Sequence, residues 1–292
     1  MDERAPHCAW AVLHEQRKRQ ENQDAWVLAP AGSGWLLAVC DGMGGVRGGA
    51  RASALACEAL HEHADRIDCD DPTGALSDAI LDANSRILKE AKADLTRAGM
   101  GTTMVCTFVR DRVVYLVWVG DSRAGLLSDG GLHWKSVDHT RVQELVDMGL
   151  LPADQAEGHP YGHILSRAVG VSASLKTQAE TPFELQDGER LLLCSDGVSG
   201  AATLRELSSA MSLETAHSAV QAIGQAVALH DGDDNATALA WLPDAPPEQA
   251  LTPEPPTPTP PPEPPGMDRQ EWVIAGILML VTLIALAWVA AS

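Results

Sequence analysis

The sequence predicts an α+β fold of antiparallel sheets flanked by helices, followed by a proline-rich spacer and one membrane-spanning helix. Three observations carry this. Across residues 1–242 strand-like runs occur in groups and helix-like runs in pairs, rather than alternating as βαβ units do. Half of residues 243–266 are proline, which fixes φ and removes backbone donors, so neither helix nor sheet is expected there. Residues 272–291 are twenty residues without a charged side chain, and at a rise of about 1.5 Å per residue such a helix spans a bilayer core.

The elements follow in order. Residues 8–16 (CAWAVLHEQ) and 34–40 (GWLLAVC) read as strands. Residues 48–66 and 73–97 are Ala-rich, with apolar positions at three- and four-residue spacing, and read as helices. Strands are expected at 101–110 and 112–120 around a tight turn at Asp111, then a hairpin of 123–127 and 131–137 around Asp129-Gly130. A helix at 140–149 precedes a polar, Gly- and His-containing segment at 154–170. A strand at 189–195, helices at 203–210 and 213–229, and a closing strand at 236–242 complete domain 1–242. The spacer 243–266 is expected to be extended at about 3.1 Å per residue, reaching on the order of 70 Å. The anchor is assigned to 267–292, with Trp272 and Trp288 near the ends of its apolar run.

Charge and cysteine usage bound the partners. Lys+Arg total 21 against 40 Asp+Glu, a net charge of −19. Such a chain repels nucleic acid and suits hard cations or basic partners. The run Arg17-Lys18-Arg19 is therefore no nucleic-acid patch, and Arg17 and Lys18 are expected to face solvent. None of the six cysteines forms a CxxC pair, and several sit in apolar runs, as small core residues do in a reducing compartment. The N-terminus MDERAPHCAW lacks the apolar stretch of a signal peptide. The expected placement is a single-pass membrane protein, anchored C-terminally, with its globular part in the cytoplasm. His61-Glu62-His63 reads as an exposed helix face. Gly44, Gly45, Gly48 and Gly49 are followed by no Walker lysine and read as tight packing.

The chemistry lies in a recurring pattern of Asp at strand boundaries. Asp41-Gly42 follows WLLAVC, Asp121 follows VVYLVWVG, Asp196-Gly197 follows RLLLCS, and Asp234-Asn235 precedes ATALAWL. Any one Asp-Gly is a turn signal. Four carboxylates converging from strand ends repel one another unless they share cations, and an all-oxygen donor set points to Mg²⁺ or Mn²⁺.

The order and spacing of these residues resemble the metal-dependent protein phosphatases of the PPM (type 2C) family, in their bacterial form. The motifs are Arg19-Gln-Glu-Asn22-Gln23-Asp24, Asp41-Gly-Met-Gly-Gly45, Gly101-Thr-Thr103, Gly120-Asp-Ser-Arg123, Asp138-His-Thr140, Ser195-Asp-Gly197 and Asp234-Asn235. The resemblance implies a central sandwich of two antiparallel sheets with a helix pair on each outer face, and a flap around 138–170 bordering the site. It implies that Asp41 bridges two metals, with the Gly42 carbonyl on one of them. Asp196 and Asp234 then complete the first metal site, Asp24 belongs to the surrounding acidic shell, and Asp121 helps hold a third metal. Arg19 is expected to grip the substrate phosphate, since a planar guanidinium donates two parallel hydrogen bonds. The implied activity is hydrolysis of phosphoserine and phosphothreonine in proteins by a metal-bridging hydroxide, opposing a Ser/Thr kinase in bacterial signalling.

Two positions depart from the family pattern. Gln23 stands where members often have Glu, and a neutral amide holds a cation less strongly. That weakens the second metal site and leaves a catalytically weak pseudo-phosphatase, a phosphoprotein-binding regulator, as the alternative. Met43 stands where animal members carry a His, so a metal-bound water or one of His139, His159 and His163 is left to protonate the leaving group.

Overall fold

The structure is a computed structural model that describes residues 9–45, 48–156 and 159–243. Twelve strands and six α-helices occur among them: β1 (Ala9–Glu15), β2 (Asp24–Ala31), β3 (Gly34–Met43), α1 (Gly49–Ile67), α2 (Pro72–Ala93), β4 (Gly101–Thr102), β5 (Met104–Arg110), β6 (Val113–Val119), β7 (Arg123–Ser128), β8 (Gly131–Trp134), α3 (Arg141–Asp147), β9 (Gln178–Ala179), β10 (Phe183–Glu184), β11 (Arg190–Cys194), α4 (Asp196–Ser199), α5 (Leu204–Met211), α6 (Ala216–Leu229) and β12 (Ala236–Leu242).

The central strands are nearly unbroken apolar runs because both of their faces are covered. In β3, Leu36, Ala38 and Cys40 point to the helices α1 and α2, while Leu37 and Val39 point to the other sheet. β12 divides the same way: Ala236, Ala238 and Ala240 pack toward α6, and Leu239 and Trp241 pack between the sheets. Period-two alternation therefore yields three apolar layers: α1/α2 on sheet, sheet on sheet, and sheet on α5/α6. One sheet runs β1-β12-β11-β7-β8; the other runs β10-β6-β5-β3-β2, with β4 on β3 and β9 on β6. Every pairing is antiparallel. Each fully buried Leu or Ile of the outer layers, such as Leu60 and Ile80, contributes about 1.5–3 kcal/mol.

The helix starts carry local signals. Asp71 accepts from the Gly74 N–H, with Pro72 in the first turn of α2. Thr203 and Glu206 form a reciprocal capping box on α5, and Thr215 caps α6. The 73–97 helix stops at Ala93, where Asp94 turns its side chain onto the Thr96 N–H and opens a short 3₁₀ turn. The turn at Asp111 has positive φ at both Asp111 and Arg112 (48° and 68°), the twist that suits a two-residue hairpin.

One part of the expected fold class is corrected. No helix among the described residues is long and apolar enough to cross a membrane. The run at 267–292 on which that helix rested lies outside the described residues, as does the spacer beyond residue 243. The fold class of the described residues is the α+β sandwich. Besides the short β9, β10 and α4, β2 is an element that the sequence pattern did not show. It is an edge strand carrying Pro30, and an edge is where a sheet tolerates a residue without an N–H.

Candidate active site

Antiparallel order brings the start of β2, the end of β3, the residue pair after β6, the start of α4 and the residue before β12 to one end of the sandwich. They surround a cleft of about 690 Å³ whose lining includes Arg19, Gln23, Asp41, Gly42, Met43, Asp121, His163, Asp196 and Asp234. Asp24 lies buried behind that lining, opposite Asp41 in the β2–β3 register.

Asp41 is held by the two threonines of the Gly101-Thr-Thr103 motif. Its N–H donates to Thr103 Oγ1 at 2.9 Å, and its carbonyl accepts from the Thr103 N–H and Thr102 Oγ1, each at 2.8 Å. Gly42 is obligatory: a Cβ there would sit 2.2 Å from the Gly49 carbonyl oxygen and 2.5 Å from that of Gln23. Asp24 Oδ2 accepts from Ser195 Oγ at 2.8 Å. Asp196 opens the one-turn helix α4.

Asp234 accepts from Arg19 Nη2 at 2.6 Å and from the Asn235 N–H at 2.8 Å. Asn235 fastens the loop that carries Arg19. Its Oδ1 accepts from the Gln23 N–H, and its Nδ2 donates to the carbonyls of Gln16 and Glu21, all within 3.0 Å. Lys18 faces solvent as expected, whereas Arg17 is largely covered. Arg17 reaches Glu15 and the Gly232 carbonyl, and Lys18 pairs with Asp231 and Asp233, each at 2.6 Å. The basic run is thus strapped onto the loop that ends at Asp234.

The electrostatics are those of crowded acids. Burial, reinforced by Asp196 and Asp234, pushes the Asp24 carboxyl up to about 7. Burial, reinforced by Asp196 and Asp138, pushes Asp121 up to about 8. Burial also raises Asp41 and Asp196. Two buried oxygens, Asp24 Oδ1 and Asp196 Oδ1, have no hydrogen-bond partner, an arrangement that costs about 1–3 kcal/mol per group. Among the described residues no three carboxylates close on one point as a finished metal cage. They form an all-oxygen ring with unpaired buried atoms and mutual repulsion, and hard divalent cations fit that donor set.

Gln23 lines the cleft, and its Nε2 donates to the Gly45 carbonyl at 3.0 Å. Of the three flap histidines, only His163 lines the cleft. His159 packs against Tyr161 with the two rings tilted by 50°. His139 is buried, with both ring nitrogens in hydrogen bonds, and so is not placed to protonate a leaving group. Glu62 and His63 pair with Arg86 and Asp82 between α1 and α2. Sequence reasoning gave no role to Thr102, Thr103, Ser195 or Asn235. Their presence inside the quoted motifs was the available signal.

The family model for protein phosphatase 2C matches residues 14–242, and the chain belongs to that family. It is 36% identical over 209 residues to the serine/threonine protein phosphatase PstP of Mycobacterium tuberculosis, a match that takes in 70% of this chain and 39% of that protein. It is 31% identical over 210 residues to the serine/threonine phosphatase Stp of Listeria monocytogenes, covering 70% of this chain and 82% of that one. Among solved structures, M. tuberculosis PstP superposes with a TM-score of 0.75 at 30% identity, over 81% of this chain and 98% of that one. The catalytic domain of PstP in complex with two manganese ions superposes with a TM-score of 0.72 at 29% identity, over 81% and 98%.

Proposed function

We propose that this protein hydrolyses phosphoserine and phosphothreonine in proteins with Mn²⁺ or Mg²⁺ as cofactor. The observation that carries the reading is the carboxylate-ringed cleft with Arg19 at its side. Asp41, Gly42, Asp196 and Asp234 would hold two cations, with Asp24 behind them and Asp121 serving a third. Bound there, the cations supply the Lewis acidity and the activated water that phosphomonoester hydrolysis needs.

The chain's own residues do the positioning. Arg19, more than half exposed, offers a planar fork to the phosphate. Asn235 keeps the Arg19 loop and the Asp234 loop in one register. Thr102 and Thr103 keep the Asp41 backbone fixed while the cations load. Phosphoserine and phosphothreonine are products of kinase chemistry, so the natural counterpart is a Ser/Thr kinase or its targets. A reducing, cytoplasmic setting fits the five described cysteines, all of them free thiols.

The test is hydrolysis of a phosphothreonine peptide by the full chain with Mn²⁺ and with EDTA, beside Asp41→Asn and Asp196→Asn. Metal-dependent turnover lost in both variants is the expected result. A folded protein that retains phosphopeptide but turns none over at any Mn²⁺ concentration would replace this reading with the phosphoprotein-binding regulator that Gln23 suggests.

A further inference from the structure

His139 sits 18 residues beyond Asp121 in sequence, outside the cleft lining, yet it holds the peptide that delivers Asp121. Two hydrogen bonds join them. The His139 N–H donates to the Gly120 carbonyl at 2.9 Å, and the Gly120 N–H donates to His139 Nδ1 at 3.1 Å. A backbone N–H can donate only to an unprotonated ring nitrogen, so the imidazole carries its proton on Nε2, which lies 3.0 Å from Gln178 Oε1. Trp118 stacks on the ring with an interplanar angle of 13°, and its own indole N–H is fixed on the Val137 carbonyl at 2.8 Å.

The Gly120 turn is tightly enclosed. Its φ is +104°, and a Cβ would meet Thr103 at 2.6 Å, so only glycine fits there, and His139 adds its grip to those of Thr103 on Ser122 and Asp138 on Arg123. The carbonyl of His139 also accepts the Ser166 N–H at 2.8 Å, and the next residue, Thr140, bridges Leu165. One residue therefore joins the root of the flap to the peptide preceding Asp121.

We infer that His139 is a positioning residue for cation binding: through Nδ1 it fixes the Gly120–Asp121 peptide and so sets the affinity of the cation site that Asp121 serves. The inference rests on the metal-dependent phosphatase reading above. The geometry separates the two ring nitrogens by task. Nδ1 grips Gly120, and Nε2 merely anchors the ring on Gln178. Asn can place an oxygen where Nδ1 stands; Gln places its oxygen nearer the Nε2 position and cannot restore the grip.

The experiment is a Mn²⁺ binding isotherm on the full chain at fixed pH, following free Mn²⁺ by electron paramagnetic resonance, for wild type, His139→Asn, His139→Gln, Asp121→Asn and the double variant His139→Gln/Asp121→Asn. Thermal unfolding without metal is measured alongside. The expected result is that His139→Gln weakens the loosest Mn²⁺ site about 10-fold, the scale of losing a ligand's supporting hydrogen bond, and leaves tighter sites within about twofold. His139→Asn recovers most of that loss, and in the Asp121→Asn background His139→Gln changes nothing further. Equal losses in the Asn and Gln variants, uniform weakening of all sites, or a His139→Gln effect that persists without Asp121 would each overturn the role of His139 and leave the phosphatase reading intact. If Asp121→Asn removes no Mn²⁺ site at all, the assignment of Asp121 as a ligand falls and this inference with it, which activity of the Asp41→Asn variant distinguishes from failure of the whole metal centre.

Discussion

Between α1 and α2, Glu62 and Glu90 lie against Arg86, Arg51 and Arg97, whereas in the cleft Asp24, Asp41, Asp121 and Asp196 lie against one another. The difference is visible in proton affinity. A hydrogen bond from Arg86 holds Glu62 below the usual carboxylate range, and Arg51 does the same for Glu90. In the cleft, burial and neighbouring acids push the carboxyls up. The helix pair brings its own counter-charge within the chain. The cleft has Arg19 on Asp234 and Arg123 near Asp121, and its remaining acids are met by bound protons or by cations. Acids of one chemical type therefore stabilise in one place and wait for cations in the other.

The sharpest way to break this contrast is to remove one acid from each region. Asp41→Asn or Asp196→Asn should lower metal-dependent phosphopeptide turnover by at least about 10²–10³-fold, as losing preorganised charge at a reacting centre does. Glu90→Gln should leave turnover unchanged. Comparable losses in the two regions would erase the distinction.

A pH titration of the EDTA-treated protein sharpens it next. Asp24 and Asp121 carry pKa values raised to about 7 and about 8 from the ordinary 3.8. Between those values the folded chain holds protons that the unfolded chain has released. Stability must therefore fall as pH rises from about 5 to 8, by an amount on the order of 6 kcal/mol. Saturating Mn²⁺ should remove or invert that slope, because cations bind the deprotonated carboxylates. Urea unfolding at pH 5, 6.5 and 8, with and without Mn²⁺, reads it directly.

A smaller effect is expected at Arg19. Arg19→Ala should lower kcat/KM about 10- to 100-fold, the cost of losing hydrogen bonds to a charged group. Arg19→Lys should recover little of it, because an ammonium cannot reproduce the planar fork. The smallest effect belongs to the helix pair, where Glu90→Gln should cost about 1 kcal/mol of stability, less in high salt.

Much of this was legible in the chain itself. β3, β5, β6, β11 and β12 are nearly unbroken apolar runs because both their faces are buried, and the Asp residues at their ends mark the cleft. The illegible parts are those fixed by contacts far apart in sequence. Nothing local says that Lys18 pairs with Asp231 and Asp233, that Asn235 holds the Gln16–Gln23 loop, or that His139 grips Gly120. β2 stayed hidden because Asp24 and Pro30 are poor strand residues in isolation; it exists because β3 supplies a template along Asp24–Ala31. The apolar run at 272–291 stands apart from these cases. Its length and lack of charge assigned it a helix, but the run lies outside the described residues, and no helix among those is long and apolar enough to cross a membrane.

The flap's attachment has a consequence for how such a molecule diversifies. Thr140 bridges Leu165, and the Arg141 N–H donates to the Ile164 carbonyl at 2.8 Å, so the segment leaves and re-enters the body at nearly the same point. A loop whose ends are already clasped can be lengthened, shortened or exchanged at little entropic expense, about 0.6 kcal/mol for each doubling. Leu145, Met148, Leu150 and Tyr161 are all exposed on it. The segment is a cassette: lineages can rewrite what the cleft meets without retouching the strands that hold its carboxylates.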